Sequence, residues 1–372
     1  MLIAIDAFGL PRFGGARVSA LGWLTALGRC DQANQYLVFL SRPEEVLAPF
    51  PNIEQHVVPI PNRFVVRIGA QILLPPLLAR RNVDLLHSMK NLSVFNAPCP
   101  TVITINDLSH LVLRDLYPWV DRFYWQRIQP QILRRAARIV AISENTKSDL
   151  MQFYSLEADK IVTIAPGCDD RFQEPCDHKE LERVRAKYRL PGSLLLYVGG
   201  LGIHKNVTTL VRAFARVAGS IPHVLVLVGG AHHTTSDHTL GREVVALGLT
   251  DRVRLLGSIP REDLPCLYRT ADLFLLASLN EGFGLVLVEA MASGTPVLAA
   301  RTGSVEEVVG SAARLIQDPM DERAFATAIL ELLSDPEALA QMSRRGLARS
   351  RLFSWRKTAE KTVSLYGSVM RA

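Results

Sequence analysis

The stretch LFLLASLNEGFGLVLVEAMASGTPVLAA, residues 273–300, parses as strand, glycine loop, helix, stop and strand. A short apolar run opens it, NEGFG interrupts, and a helical segment follows until Gly294 ends it and Pro296 prevents its continuation. Strand, helix and a second apolar strand make the repeating unit of a parallel α/β sheet. The loop at residues 280–284 then sits at a strand's carboxyl end and opens a helix, where backbone N–H groups lack helical partners and can face an anion. Gly282 and Gly284 let such a ligand approach closely. Glu289 stands about one turn beyond Leu285, where its carboxylate can accept hydrogen bonds from neutral hydroxyls. The plain alternative makes Glu281 and Glu289 solvated charges and the glycines turn residues, but the flanks of Glu289 are too apolar for casual exposure.

The same rhythm extends outward in both directions. Apolar runs LIAID from Leu2, YLVFL from Tyr36, HVVPI from His56, VDLLH from Val83, TVITI from Thr101 and RIVAIS from Arg138 form one series. LLLYVG from Leu194, VLVLVG from Val224, VRLLG from Val253, LFLLAS from Leu273 and PVLAA from Pro296 form another. Continuous apolar runs are what strands of a parallel sheet covered on both faces look like. The Pro/Asp/His-rich and then charged stretch 168–192 separates the series. The expected organisation is an N-terminal Rossmann-like domain at 1–172, a linker region at 173–189, a second domain at 190–352, and a helix at 353–372 capped by Ser354. Ligands of such sheets bind beyond the carboxyl ends of the strands, so a cleft between the domains is the expected site.

A length of 372 residues suits two domains, and 48% apolar with 21% charged residues excludes disordered, collagen-like and coiled-coil chains. Five cysteines, Cys30, Cys99, Cys168, Cys176 and Cys266, are too few and scattered for a disulfide framework and point to a reducing compartment. The apolar start reaches Asp6 without a basic region or cleavage site, so it reads as a core strand of a cytoplasmic protein. The best spanning candidate, residues 68–79, is interrupted by Gln71, Pro75 and Pro76, and no window reaches a bilayer's length. A formal charge of +6 favours anionic partners. VRIGAQILLPPLLARR from Val66, with Arg134 and Arg135, is a candidate patch for peripheral contact with an anionic inner membrane; its alternative is an amphipathic core helix broken by the two prolines.

A second glycine unit, YVGGLGIHKNVTTLVRAF at 197–214, runs from a strand through Gly199, Gly200 and Gly202 to His204 and Lys205 at the start of a helix. Lys205 can neutralise a diphosphate as a mobile point charge, and His204 can add a hydrogen bond. GGLG does not match GxGxxG, and Lys205 does not stand in GxxxxGK[ST], which weakens dinucleotide and P-loop readings. FGGARV after the first strand offers Gly14, Gly15 and Arg17 at another helix start. TVITINDLSH ends a strand at Asn106 and Asp107, with Asp107 able to orient a hydroxyl, and His110 follows as a residue more often capping or packed than catalytic. AISENTKSDL places Ser143 as an N-cap and Lys147 in the helix it opens. No HExxH or GxSxG occurs, so neither a metal nor a serine nucleophile is expected; His232 and His233 read as loop histidines before metal ligands. Basic residues are dispersed without an aromatic stacking repeat, so nucleic acid is not an expected partner.

Taken together these motifs resemble, nearly end to end and in order, the retaining glycosyltransferase family 4 with its GT-B fold. Glu281 and Glu289, with GFGLVLVEAMASGTPV around them, are similar to the family's glutamate pair; FGGARV resembles its N-terminal glycine loop and VGGLGIHKN its phosphate loop. GSVEEVVG resembles the family's SxPEVxG with Val305 in place of proline, and RLFSWRKTAE the segment before the helix that returns to the first domain. The resemblance implies a nucleotide-diphosphate-sugar donor and no metal or other cofactor. It places Glu289 on the nucleotide ribose, Glu281 on donor-sugar hydroxyls, Gly282, Phe283, Gly284 and Leu285 as backbone contacts, and Lys205 on the diphosphate. Gly15, Arg17, Gly200 and His204 complete the donor set; Asn106, Asp107, His110 and Lys147 form the acceptor set; and Lys205, Glu281 and Asp107 are the catalytic candidates. Two positions depart from the family: Asn106 precedes Asp107 where histidine is common, and His204 precedes Lys205 where arginine is common. The implied reaction is retaining transfer of a hexose, mannose from GDP-mannose first and a UDP-sugar as the alternative, to a lipid-linked or polysaccharide acceptor, as in bacterial O-antigen and exopolysaccharide mannosyltransferases. A nucleotide-sugar epimerase or hydrolase, and a nonenzymatic nucleotide-sugar-binding scaffold, are the rival readings. Oligomeric state is not legible.

Overall fold

The structure, a computed structural model, describes residues 1–11, 14–58, 63–89, 91, 93–230 and 236–371, without the side chains of 63–69 and 236–238. Phe13 of the first glycine motif, the start of the 66–81 patch, and His232 and His233 therefore lie, wholly or in their side chains, outside the described residues. The chain divides into two compact units, Met1–Gly167 with Ser354–Ala372, and Cys168–Phe353.

The first unit holds seven strands: β1 (Leu2–Asp6), β2 (Gln35–Leu40), β3 (Ile53–Val57), β4 (Leu85–Ser88), β5 (Thr101–Ile105), β6 (Arg138–Ala141) and β7 (Ile161–Thr163). They lie in the order β3-β2-β1-β4-β5-β6-β7 and every pairing is parallel. Alternate residues feed the two faces. Ile3, Ile5, Leu85, Val102 and Val140 pack with the helix Gly15–Cys30 and the terminal helix Trp355–Arg371. Ala4, Leu86, Ile103 and Ile139 face the other way, towards the helix Arg63–Arg80 and the segments between residues 108 and 156. The terminal helix is tied in by Trp23 Nε1, which donates to Thr362 Oγ1 at 2.9 Å, and by Tyr366, whose hydroxyl lies 2.6 Å from His87 Nδ1. Gly22 is required there, since a Cβ would lie 2.4 Å from the Trp355 ring.

Three expectations are corrected in detail. The third strand is Ile53–Val57, not the apolar run from His56: it is an edge strand, half exposed, and its register with β2 starts at Tyr36↔Ile53. The helix Arg63–Arg80 is not broken by Pro75 and Pro76; burial of Ala70, Leu74 and Leu78 against the sheet holds it through both. Cys176 and Cys266 form a disulfide, with Cα atoms 5.9 Å apart. They are separated by 90 residues in sequence, so spacing gave no sign of a pair that forms where the coil before His178 meets the helix Leu264–Thr270.

The second unit holds β8 (Leu194–Val198), β9 (Val224–Val228), β10 (Val253–Gly257), β11 (Leu273–Leu276), β12 (Val297–Ala300) and β13 (Ala313–Ile316), ordered β10-β9-β8-β11-β12-β13 and again all parallel. Both sheets have Rossmann-like topology, the GT-B pattern of two such domains in one chain. In the second sheet the order reverses between β8 and β11, the topological switch point at which ligands of such sheets bind.

Candidate functional site

The two glycine motifs of the second unit are the loops leaving β8 and β11, on either side of that switch point. The 199–206 turn is stitched to the end of β11. His204 O accepts from Leu279 N at 2.8 Å, and Asn206 Nδ2 donates to Ala277 O at 3.0 Å and to Pro319 O at 2.7 Å. Asn206 is left-handed, φ 52°, which suits asparagine and turns the chain into the helix Val207–Val217. This stitching brings Lys205 Nζ to 2.7 Å from Glu281 Oε1, an ion pair between residues 76 apart in sequence. Ser278 Oγ donates to the same oxygen at 2.6 Å, and Thr302 Oγ1 holds Ser278 O at 2.7 Å.

The loop after β12 supports Glu281 from behind. Ser304 donates to Glu281 O through its backbone N at 3.0 Å and its hydroxyl at 3.1 Å. Gly303 must be glycine: its φ is +53°, and a Cβ would lie 2.2 Å from the Glu281 carbonyl oxygen. Phe283 is buried edge-on against Phe353, centroids 5.4 Å apart, so its side chain anchors the loop while Gly282 and Gly284 remain at the turn. Gly284, at φ +82°, is the N-cap of the helix Leu285–Ala292, with no side-chain cap on the first-turn amides. Gly200 differs: a Cβ there would meet nothing within 4 Å.

Glu289 lies on that helix, almost wholly buried. Tyr268 OH donates to its Oε2 at 3.2 Å, and Arg261 Nη2 lies 3.1 Å from its Oε1. Burial pushes the carboxyl above its ordinary range, and the Arg261 charge opposes that shift. Arg261 also lies over the Phe172 ring, 5.4 Å from its centroid, and Phe172 meets Tyr268 edge-on. The Cys176–Cys266 bridge fixes the 168–176 segment to the helix Leu264–Thr270 that carries Tyr268. Sequence reading missed Ser278, within the 273–300 unit itself, and Arg261, Tyr268 and Thr302, which other β-α units bring to the same end of the sheet.

In the first unit, Gly15 opens the helix Gly15–Cys30 and a Cβ there would also meet nothing within 4 Å. Arg17 is engaged in a two-pronged ion pair with the buried Glu44, which Arg42 also approaches. Asn106 and Asp107 follow β5, and Asn91 clamps them: its Oδ1 accepts from Asn106 N at 2.8 Å and its Nδ2 donates to Asp107 O at 3.0 Å. Asp107 Oδ1 accepts from Ser109 N at 2.8 Å. Ser143 caps the helix Glu144–Tyr154 through Thr146 N, which carries Lys147 and also Asp149. Burial, with the charge of Asp107 nearby, pushes the Asp149 carboxyl up to about 6. His110 is buried against Trp125, ring centroids 3.9 Å apart. No group of three or more His, Cys, Asp and Glu side chains among the described residues is arranged to hold a metal.

The Glycosyltransferase Family 4 description matches residues 13–172, and Glycosyl transferases group 1 matches residues 179–349. The chain is 31% identical over 266 residues to O-antigen chain mannosyltransferase B of Escherichia coli, covering 71% of this chain and 69% of that protein. It is 32% identical over 255 residues to D-inositol 3-phosphate glycosyltransferase of Corynebacterium efficiens, covering 66% of this chain but only 60% of that enzyme. Among solved structures, sucrose-phosphate synthase from Thermosynechococcus elongatus superposes with a TM-score of 0.82 at 22% identity, over 100% of this chain and 99% of that one. Anabaena HepE in complex with UDP-glucose gives 0.80 at 22% identity, over 99% and 100% of the two chains. These two likenesses speak for the fold. The chain belongs to the GT-B glycosyltransferases related to Glycosyltransferase Family 4 and Glycosyl transferases group 1.

Proposed function

We propose that this protein transfers a hexose from a nucleoside-diphosphate sugar to a lipid-linked or polysaccharide acceptor with retention of anomeric configuration, with GDP-mannose as the donor. The observation that carries the reading is the Lys205–Glu281 pair at the switch point of the second sheet, with buried Glu289 on the helix that the Glu281 loop opens. Glu289 receives the ribose hydroxyls and Glu281 the sugar hydroxyls, while Lys205 and the amides from Gly282 to Leu285 face the diphosphate. When sugar hydroxyls take up the Glu281 carboxylate, the Lys205 ammonium is released to the phosphate oxygens. The bond between the anomeric carbon and the diphosphate oxygen breaks, its electron pair stays on the diphosphate, and Lys205 with the helix end stabilises that charge. The acceptor hydroxyl bonds to the anomeric carbon on the face the diphosphate leaves, and its proton passes to the departing phosphate oxygen. Asn106, Asp107, His110 and Lys147 of the first unit are assigned to the acceptor, with Asp107 orienting its hydroxyl.

Mannose is favoured by the name of the Escherichia coli relative, and UDP-glucose is the alternative named by the HepE complex. Replacing Lys205 with alanine is expected to lower turnover about 10²-fold, as removal of an oxyanion donor does, with a smaller change in donor KM. Steady-state kinetics with product detection checks this, and unchanged turnover contradicts the assignment. An epimer, or free sugar formed without acceptor, favours the epimerase or hydrolase reading.

A further inference from the structure

The surroundings of Glu289 are held together in part by a bond that can be opened and closed. Glu289 accepts from Tyr268 OH and faces Arg261, and both partners belong to the stretch 261–270, Arg261 just ahead of the helix Leu264–Thr270 and Tyr268 on it. The segment 168–176 packs against that stretch. Phe172 meets the Tyr268 ring edge-on and lies beneath the Arg261 guanidinium, and Asp169 Oδ2 is 4.0 Å from Arg261 Nε. The Cys176–Cys266 bridge joins the two, close in sequence to Phe172 on one side and to Tyr268 on the other.

Two further ties hold the segment. The Arg269 guanidinium donates to Phe172 O at 3.1 Å and to Glu174 O, and beyond the bridge Arg183, Lys187 and Tyr188 converge on the buried Asp263 carboxylate. Those ties are hydrogen bonds and ion pairs, indifferent to thiols. The bridge is covalent, and one of its ends is within reach of solvent. Residues 173–177 form no helix or strand, Glu174, Pro175 and Asp177 are exposed and Cys176 is half-buried, whereas Cys266 is buried. Cys168, at the other end of the segment, is buried with its Sγ donating to Asp169 O at 3.6 Å. We propose that Cys176–Cys266 is a redox-active bridge exchanged by dithiols, and that its state sets the affinity of the Glu289 site for the nucleoside diphosphate of the donor, tight when closed and weaker when open.

In the opening step a thiolate of the dithiol attacks Cys176 Sγ, the S–S bond breaks, and its electron pair leaves on Cys266 Sγ, which takes a proton. The second thiol of the reagent then attacks its own sulfur in the mixed disulfide and displaces the Cys176 thiolate, which is protonated in turn. Two electrons and two protons have passed to the protein, and the dithiol leaves as a cyclic disulfide. With the bridge open, residues 173–177 regain chain freedom. Arg269 still holds Phe172 O, so the effect is graded: Asp169 and Phe172 support Arg261 less firmly, and Arg261 keeps Glu289 an anion less well. The inference rests on the reading of Glu289 as the ribose ligand, which it deepens with a means of regulation. Linkage supplies a second consequence. If the closed form binds nucleotide more tightly by some factor, nucleotide must favour closure by the same factor.

The test is calorimetric titration of the full chain with GDP, and with UDP in parallel, in the oxidised state, after dithiothreitol, and after reoxidation, with the thiols counted by alkylation and mass spectrometry. Reduction is expected to expose two more thiols and to weaken nucleotide binding about fivefold or more, reversibly. In mixtures of reduced and oxidised dithiothreitol, saturating nucleotide moves the midpoint of the bridge to more negative potential, by about 20 mV for a fivefold factor. C176S binds as reduced wild type does and ignores dithiothreitol. C30S, at an exposed cysteine of the first unit, responds as wild type does. Thermal melts establish that the variants are folded, and the reversible cycle on wild type needs no variant at all. Equal affinity in the two states, a thiol count that dithiothreitol leaves unchanged, or a midpoint that nucleotide does not move overturns the proposal. Glu289→Ala, titrated alongside, separates the two claims. If it weakens nucleotide binding while redox state does not, the switch is wrong and the site stands; if neither matters, or wild type binds no nucleotide, the reading of the site fails and the switch with it.

Discussion

The Glu289 carboxyl is almost wholly buried, and Arg261 Nη2 lies 3.1 Å from its Oε1. Burial favours the protonated acid, which keeps a single neutral carbonyl acceptor and turns its other oxygen into a donor; the guanidinium favours the anion, which offers two charged acceptor oxygens. Arg261 is therefore a positioning residue for the proposed ribose contact. In Arg261→Gln the opposing charge is gone, the Glu289 pKa rises further, and protonation reaches to higher pH than in wild type. The expected outcome is a donor KM raised about tenfold or more at neutral pH, kcat little changed because the ribose is remote from the breaking bond, and donor affinity that falls off at a higher pH as the solution is acidified. Arg261→Lys restores part of the affinity. Donor KM measured against pH in the three proteins checks this, and an unchanged profile contradicts it. Arg261 was not legible beforehand. Nothing local in SIPREDL marks it, whereas Glu281, Gly284 and Glu289 fall within one strand-loop-helix unit whose pattern can be read directly.

Among the elements, the terminal helix Trp355–Arg371 shows how a single buried group ties stability to pH. His87 sits in β4 with Nδ1 2.6 Å from Tyr366 OH and Nε2 2.7 Å from Thr104 Oγ1, and burial pushes its pKa down to about 3. The native ring stays neutral while the unfolded one, with an ordinary pKa of 6.5, takes up a proton. The stability tied to this group is thus complete above pH 6.5 and is lost as pH falls from 6.5 towards 3, about 2 kcal/mol of it by pH 5. His87→Asn is expected to lower stability at neutral pH but to flatten its fall between pH 6.5 and 5. Denaturant unfolding across that range, with hydrogen exchange in residues 355–371 as the local readout, tests it; an equal slope in both proteins contradicts it. The element scale also shows where sequence reading fails. Strands of continuous apolar residues were legible, but β3 is a half-exposed edge strand and β7 and β13 are short and mixed, so pairing partners and not hydrophobicity define them. The Cys176–Cys266 bridge is invisible for a related reason, since it depends on which segments become neighbours.

At the scale of the whole molecule, two all-parallel sheets of seven and six strands repeat one rule: the glycine motifs at 199–205 and 280–284, like Asn106 and Asp107, follow the carboxyl ends of strands. That rule made the fold class and the order of the motifs readable from hydrophobic runs and glycines alone. It did not give donor or acceptor identity, because the backbone amides and carboxylates proposed to read ribose, diphosphate and sugar hydroxyls are groups that many nucleotide sugars would satisfy equally. The central claim is that the loops after β8 and β11 hold an activated sugar through Lys205, Glu281 and Glu289. Its most direct test is a competition screen of GDP-, UDP-, ADP- and dTDP-sugars against the folded wild-type protein, with product detection, repeated with Glu289→Ala. The account predicts one preferred nucleotide class, GDP-mannose first, that yields an acceptor-dependent glycosyl product and binds more weakly to the variant; binding of no nucleotide sugar, or equal binding by wild type and Glu289→Ala, would contradict it.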